Sequence, residues 1–478
     1  MAGRTITPIN GPSALARPAT AGSPRTFYFS RAGARRRSED GGYGALEKGL
    51  ALSAFTLLLI SYVALPSVKL AGFPMRGLLS LGLLALLLVA RPSIAAIALR
   101  KYLPLIGLAA GLAVLGVFVS AVNGATLDVV LQTLLEVHVQ LVVLMMVAAI
   151  LAEICGAGAC MWAIVAVIGG SGFVALLQMF EVDMAWDIRR ALGPLAKEEL
   201  RPSVTDRRPS GLSYSPIQLT TQLCLAFAAF AAVRYAGRLR TVGIRSADPA
   251  VLIALLLLFA GSIAAATRSP ILGGVIFLVA YVAFSRQMWL ALAIAAGATL
   301  IYLAWPLLSS FIESEAPRIL RTDDKSAAAR SVFAYYGTRL FIDNPVGYGF
   351  GFIPYELWGP YWSDLYMMRG SRGTRENQLH NYVLSMINIY GAGILLFAPL
   401  AFKLLIRAGV YCLFFIPYAV HILFHNSGPF YSDTIIWFVI AAIGAATAQS
   451  ASQGLGHSRP LPPRGTRPAN QIRGLHSA

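Results

Sequence analysis

Scattered through an apolar chain are a few residues whose chemistry needs a reason. Arg268 stands in AAATRSPILGG, between two apolar runs joined by only a few residues. That places it at a membrane–water boundary, where an ionisable group is costly unless it is paired or used. A guanidinium is a planar fork that can donate two hydrogen bonds to one phosphate. The plainer reading is a side chain that snorkels to anchor a helix end. Further arginines crowd two long polar segments, 181–211 and 308–379. They suit a bound anion, or they pair with Asp183, Asp187, Glu198, Glu199 and Asp206. His380, in ENQLHNYVL, can take or give a proton near neutral pH, or can serve as a cap or packing residue. His421 and His425 are spaced i, i+4 and could share a metal, although no third ligand is evident. Glu136 and His138 lie inside an apolar run, as a proton relay or as a buried hydrogen-bonded pair.

The elements that position these residues follow from composition. The chain has 478 residues, of which 57% are hydrophobic and 13% charged. A soluble chain is typically ~25% charged, so this one has too little polar surface to cover itself. The expectation is an all-α, polytopic integral membrane protein. Apolar runs near the ~20 residues needed to cross a bilayer fall at 48–65, 76–90, 102–122, 127–151, 157–180, 213–234, 249–266, 270–285, 288–307, 380–402, 408–424 and 432–449. This predicts about 12 transmembrane helices, with a short outside loop at 181–212 and a long one at 308–379, between helices nine and ten. The tenth is expected to run unbroken from His380. Residues 1–47 and 450–478 are rich in Pro, Gly, Ser and Arg and read as disordered cytoplasmic tails.

Net charge is +17. In a soluble protein that would suggest nucleic acid; here it fits the rule that cytoplasmic loops collect Lys and Arg. With the N-terminus inside, the inner loops carry Arg91, Arg100 and Lys101, then Arg234, Arg238, Arg240 and Arg245, then Arg286, then Lys403 and Arg407. No nucleic-acid partner is expected. The cysteines Cys155, Cys160, Cys224 and Cys412 lie in or beside apolar runs and form no recognisable framework.

The segment from Arg330 to Phe397 carries NPVGYGFGF and many aromatic residues. Gly347, Gly349 and Gly351 do not form a dinucleotide fingerprint. They suit turns and positive backbone angles. The rings suit sugar faces and also a membrane interface.

NPVGYGFGF followed by LHNYVLSMINIYGAGILLF resembles the signature of the O-antigen ligase and O-antigen polymerase (Wzy-type) superfamily. The upstream TRSP and RRPSGLSYSP resemble two further elements of that family, in its order, and the likeness spans roughly 208–443. The resemblance implies a metal-independent glycosyltransferase, with no cofactor, on the periplasmic face of a bacterial inner membrane, both termini being cytoplasmic. Its partners would be the lipid bilayer and a polyprenyl-diphosphate-linked oligosaccharide, with a chain-length regulator or flippase of the same pathway. Arg208 and Arg268 would hold the diphosphate, with Arg339, Arg372 and Arg375 adding to the anionic pocket. His380 would act on the acceptor hydroxyl; Glu376 or Asp343 is the alternative base. Overall pattern favours a polymerase of surface or exopolysaccharide over a ligase joining finished glycan to lipid A-core. The rival of another class is a polysaccharide transporter or flippase.

Overall fold

In hydrocarbon every backbone N–H and C=O must find its partner within the segment, which a helix achieves and an open strand does not. The apolar runs obey this. The computed structural model describes residues 43–66, 68–70, 73–192, 208–236, 248–285, 287–315, 320, 325–369, 371 and 378–456. Helix α1 (Ala45–Ala64) leads through a small antiparallel hairpin, Lys69–Leu70 with Phe73–Pro74, into α2 (Met75–Ala90). Then follow α3 (Pro92–Val122), α4 (Leu127–Cys155, with a π turn over Leu134–Val139), α5 (Ala157–Met179) and α6 (Asp183–Ala191). The chain continues through α7 (Pro216–Ala236), α8 (Pro249–Ala264), α9 (Ser269–Ser285), α10 (Met288–Leu303), α11 (Trp305–Glu315) and α12 (Lys325–Asp343). It ends with α13 (Trp362–Tyr366), α14 (Tyr382–Tyr390), α15 (Ala398–Ala408), α16 (Tyr411–Phe414), α17 (Ile416–Ile422) and α18 (Ile435–Gly456).

Two helices form the interior. Within its most apolar window, α7 is 78% buried and α4 61%, against 39% for α1, α3 and α5. α4 packs against α1, α2, α3 and α18, while α7 packs against α5, α8 and α18. The outward faces stay apolar: Leu57, Leu86, Val114, Phe118, Leu257 and Phe284 are all exposed. So much bare hydrocarbon surface is unsuited to water and suited to lipid. The protein is a helical, membrane-embedded one.

The count of spans differs from expectation. Among the described residues six helices are long and apolar enough to cross a bilayer, or seven if α10 and α11, bent by 66° at their junction, act as one. Four more, α2, α8, α9 and the Ile435–Gln449 part of α18, are apolar but shorter. At ~1.5 Å per residue a 16-residue helix covers about 24 Å, short of the ~30 Å core.

The tenth run, Tyr382–Ala408, is one of these six helices but is not uniformly α: a 3-10 stretch, Gly391–Phe397, lies between α14 and α15. The glycine segment docks at that stretch, where the Ala392 amide donates to the Pro345 carbonyl at 2.8 Å. The eleventh run is divided at Gly409 (φ +54°) and at Pro417, which opens α17. The two long polar segments are also partly helical, through α6, α12 and α13. The N-terminal helix starts at Ala45 and the last ends at Gly456, so both helices extend into the expected tails. The remainder of each tail lies outside the described residues.

The polar groups separate by end. Lys101 pairs with Glu153, Arg91 with Glu47 and Arg234 with Asp248 at one end of the bundle. The loops carrying Arg208, Arg268 and His380 gather at the other.

Candidate functional site

The site is built on two tight turns. α8 closes with Ala266 in the left-handed region (φ +49°), its amide donating to Ile263 and that of Thr267 to Ser262, each at 2.9 Å. This is a Schellman closure in which glycine is usual; a side chain there is strained by about 1–2 kcal/mol. Arg208 crosses to this turn, donating from Nη2 to the carbonyls of Ala265 (2.9 Å) and Ala266 (3.2 Å) and to Thr267 Oγ1 (3.0 Å). Arg208 therefore neutralises the exposed carbonyl end of α8 and ties its own loop to the residues flanking Arg268.

The Arg208 loop is held from beneath. Buried Gln178 accepts from the amides of Ser210 (3.0 Å) and Gly211 (2.9 Å) and donates to the Gly211 carbonyl (3.2 Å). Gly211 (φ +60°) lies so close to Ser171 that a Cβ would come within 2.1 Å of its carbonyl oxygen. Arg189, 1% exposed, donates from Nε to the Ser213 carbonyl at 2.8 Å. Arg190 instead pairs with Asp187 on the surface of α6. The arginines of this segment thus divide between scaffold and local ion pair, and Arg208 alone among them reaches the α8 turn in the bonds described.

Beyond Arg268 comes Ser269, 4% exposed, whose Oγ lies 2.9 Å from His421 Nδ1 and 3.3 Å from His425 Nε2. His421 Nε2 meets Thr221 Oγ1 at 3.0 Å, so both of its nitrogens are engaged by hydroxyls. The i, i+4 pair is a hydrogen-bonding pair on Ser269, with ring centroids 4.3 Å apart. Among the described residues no trio of His, Cys, Asp or Glu is placed to hold a metal. Arg330 of α12 lies over the Phe424 ring at 5.4 Å. His380 meets Phe333, one turn further along α12, edge to face at 5.0 Å. Burial holds the His425 ring well below its ordinary pKa of 6.5, and the charges of His421, Arg330, His380 and Arg208 lower it further. Contacts chain these groups together: Arg330 lies on Phe424, the neighbour of His425, and His380 lies on Phe333, one turn along α12 from Arg330.

Asn381, next to His380, is the N-cap of α14; its side chain accepts from the Leu384 amide at 3.0 Å. His380 is therefore fixed just ahead of a capped helix, half-buried. The other expected members do not join. Arg339 and Asp343 face each other at 4.0 Å on α12, and Asp343 accepts from Tyr361 Oη at 2.8 Å. Asp343 lies about 15 Å beyond Phe333 along the helix at ~1.5 Å per residue, too far from His380 to share its work. Arg372, Arg375 and Glu376 lie outside the described residues.

Glu136 and His138 are not bonded to each other. Glu136 accepts from Gln132 (3.2 Å), and His138 Nε2 lies 3.2 Å from Tyr390 Oη. The glycines do adopt positive φ, +89°, +79° and +81°. Gly347 and Gly349 press their backbone against Gly391 and Ser120, and Gly351 lies against Val129. Tyr348 and Gly349 donate to the carbonyls of Asn388 (2.7 Å) and Ile389 (2.9 Å). This loop is a clamp between α3 and α14.

No family model matches the chain, and no curated protein matches it. Sequence reasoning passed over Gln178, Arg189, Arg330 and His425 as parts of this site. Arg330 was visible only as an arginine in a polar segment, and His425 only as half of an i, i+4 pair.

Proposed function

We propose that the protein is a membrane glycosyltransferase that takes glycan from a polyprenyl-diphosphate carrier, a polymerase of repeat units rather than a ligase. One observation carries the transferase reading: Arg208, the Arg268 turn, Arg330 and three histidines converge at one end of an apolar bundle. The preference for a polymerase comes from the overall sequence pattern. Such a cluster can stabilise the negative charge that builds as the carrier leaves. Arg208 and Arg268 hold the diphosphate. His380 takes the proton of the acceptor hydroxyl as its oxygen bonds to the anomeric carbon, and the bond from that carbon to the diphosphate oxygen breaks. A general base at this step is worth ~10²–10⁴-fold.

Arg268→Ala and His380→Ala should each lower glycan transfer by about 10²-fold or more in the purified protein. Arg339→Ala should stay within about threefold of wild type, because its partner is Asp343. Wild-type turnover in both of the first two variants would remove the site from consideration.

A further inference from the structure

A cleft of about 340 Å³ opens between the π turn of α4, the Phe350–Ile353 stretch, the end of α14 and Gln378. Its volume lies within the ~300–1,000 Å³ of small-molecule sites. Its lining has two characters. Phe352, half-buried, offers ring surface backed by the buried rings of Phe350 and Tyr390, and the exposed Gln132, Glu136 and Gln378 offer polar edges. The π turn, a form often found at functional positions, brings Glu136 and His138 to the same cleft. His138 is 3% exposed; its Nε2 is at Tyr390, and its Nδ1 has no hydrogen-bond partner among the described residues. Such a group costs free energy and calls for an explanation.

The chemistry selects the occupant. A phosphate would meet the Glu136 carboxylate at like charge. A lipid tail would strip water from Glu136 and Gln378 and return no hydrogen bond. A sugar satisfies both sides: its C–H face lies on a ring and its hydroxyls donate to carboxylate and amide oxygens. We propose that this cleft is a saccharide subsite for a neutral sugar ring. It adjoins the cationic cluster through a short link, since Gln378 lines the cleft and His380, two residues on, packs against Phe333, one turn along α12 from Arg330. Residues two apart in a chain lie no more than about 7 Å from each other. His380 is then the meeting point of sugar and diphosphate. That the cleft holds the acceptor sugar rests on the proposed transferase reading; that it holds a sugar does not.

The test uses the full-length protein in lipid nanodiscs and saturation-transfer NMR. The probes are the methyl glycosides of glucose, galactose, mannose, rhamnose, fucose and N-acetylglucosamine, with the matching sugar 1-phosphates. At least one neutral glycoside should bind the wild type. Its affinity should fall tenfold or more in Phe352→Ala and Gln378→Ala and change less than twofold in Arg268→Ala. Glu136→Gln, an exposed and nearly isosteric change, guards against misfolding; it should weaken glycoside binding at an unchanged melting temperature. If no glycoside binds, or if binding survives Gln378→Ala and Glu136→Gln unchanged, the cleft is no saccharide site. Glycoside binding by a protein that transfers no glycan would keep this inference and overturn the transferase.

Discussion

His425 shows how a single residue reports on its surroundings. Its ring is held neutral by burial and by the neighbouring positive groups, so it resists protonation in the fold. The unfolded chain takes up a proton below 6.5 that the folded chain refuses. Stability is therefore complete above about 6.5 and declines as pH falls below it. The melting temperature should drop between pH 7.5 and 5, and the drop should be smaller in His425→Gln; an equal drop would mean that His425 is not held as described. Little of this could be read from the sequence. The i, i+4 spacing of His421 and His425 showed that they face one way, but Ser269, which lies between their nitrogens, is more than 150 positions away. Arg268 was legible because an arginine between apolar runs is costly on its face. Arg339, an expected addition to the anionic pocket, and Asp343, the alternative base, face each other at the surface instead, because only the helix register decides that they meet.

At the scale of elements, apolar runs announced helices well and their interruptions poorly. The 3-10 stretch between α14 and α15 lies where an upstream loop docks, Ala392 donating to Pro345. Composition carries no trace of that contact, and the π turn of α4 is equally silent in the sequence. The glycines were legible in kind, since three in five residues implied positive φ, but not in purpose. Gly349 is the sharpest case: a Cβ there would come within 2.5 Å of Ser120 Cα, at φ +79°. Left-handed strain of about 1–2 kcal/mol and overpacking of about 1–3 predict that Gly349→Ala loses about 2–5 kcal/mol of stability. Gly359, with no atom within 4 Å of its Cβ position, is the control; Gly359→Ala should shift stability by less than about 0.5 kcal/mol. Equal melting temperatures for the two variants would show that the clamp is not under the compression described.

The whole molecule places its polar chemistry at two ends of an apolar bundle. At one end Lys101–Glu153 and Arg234–Asp248 join helices through paired charge. At the other, arginines and histidines from segments far apart in sequence converge around Ser269 and Thr267. Loops on the same side of a bundle must share an end, which is the rule that the reading of charge along the chain used. It could not anticipate the lengths of the helices, which fall below a bilayer's thickness in α2, α8 and α9. A polar cluster at one end, rather than at the midplane, fits work on a lipid headgroup better than passage through the membrane. The measurement that bears most directly on this account is reconstitution of the purified protein in vesicles with a polyprenyl-diphosphate oligosaccharide alone, following glycan length on a gel. The account predicts a ladder of lengthening glycan with release of polyprenyl diphosphate. Lipid-linked oligosaccharide recovered at its original length, whether or not it has crossed the bilayer, would contradict it.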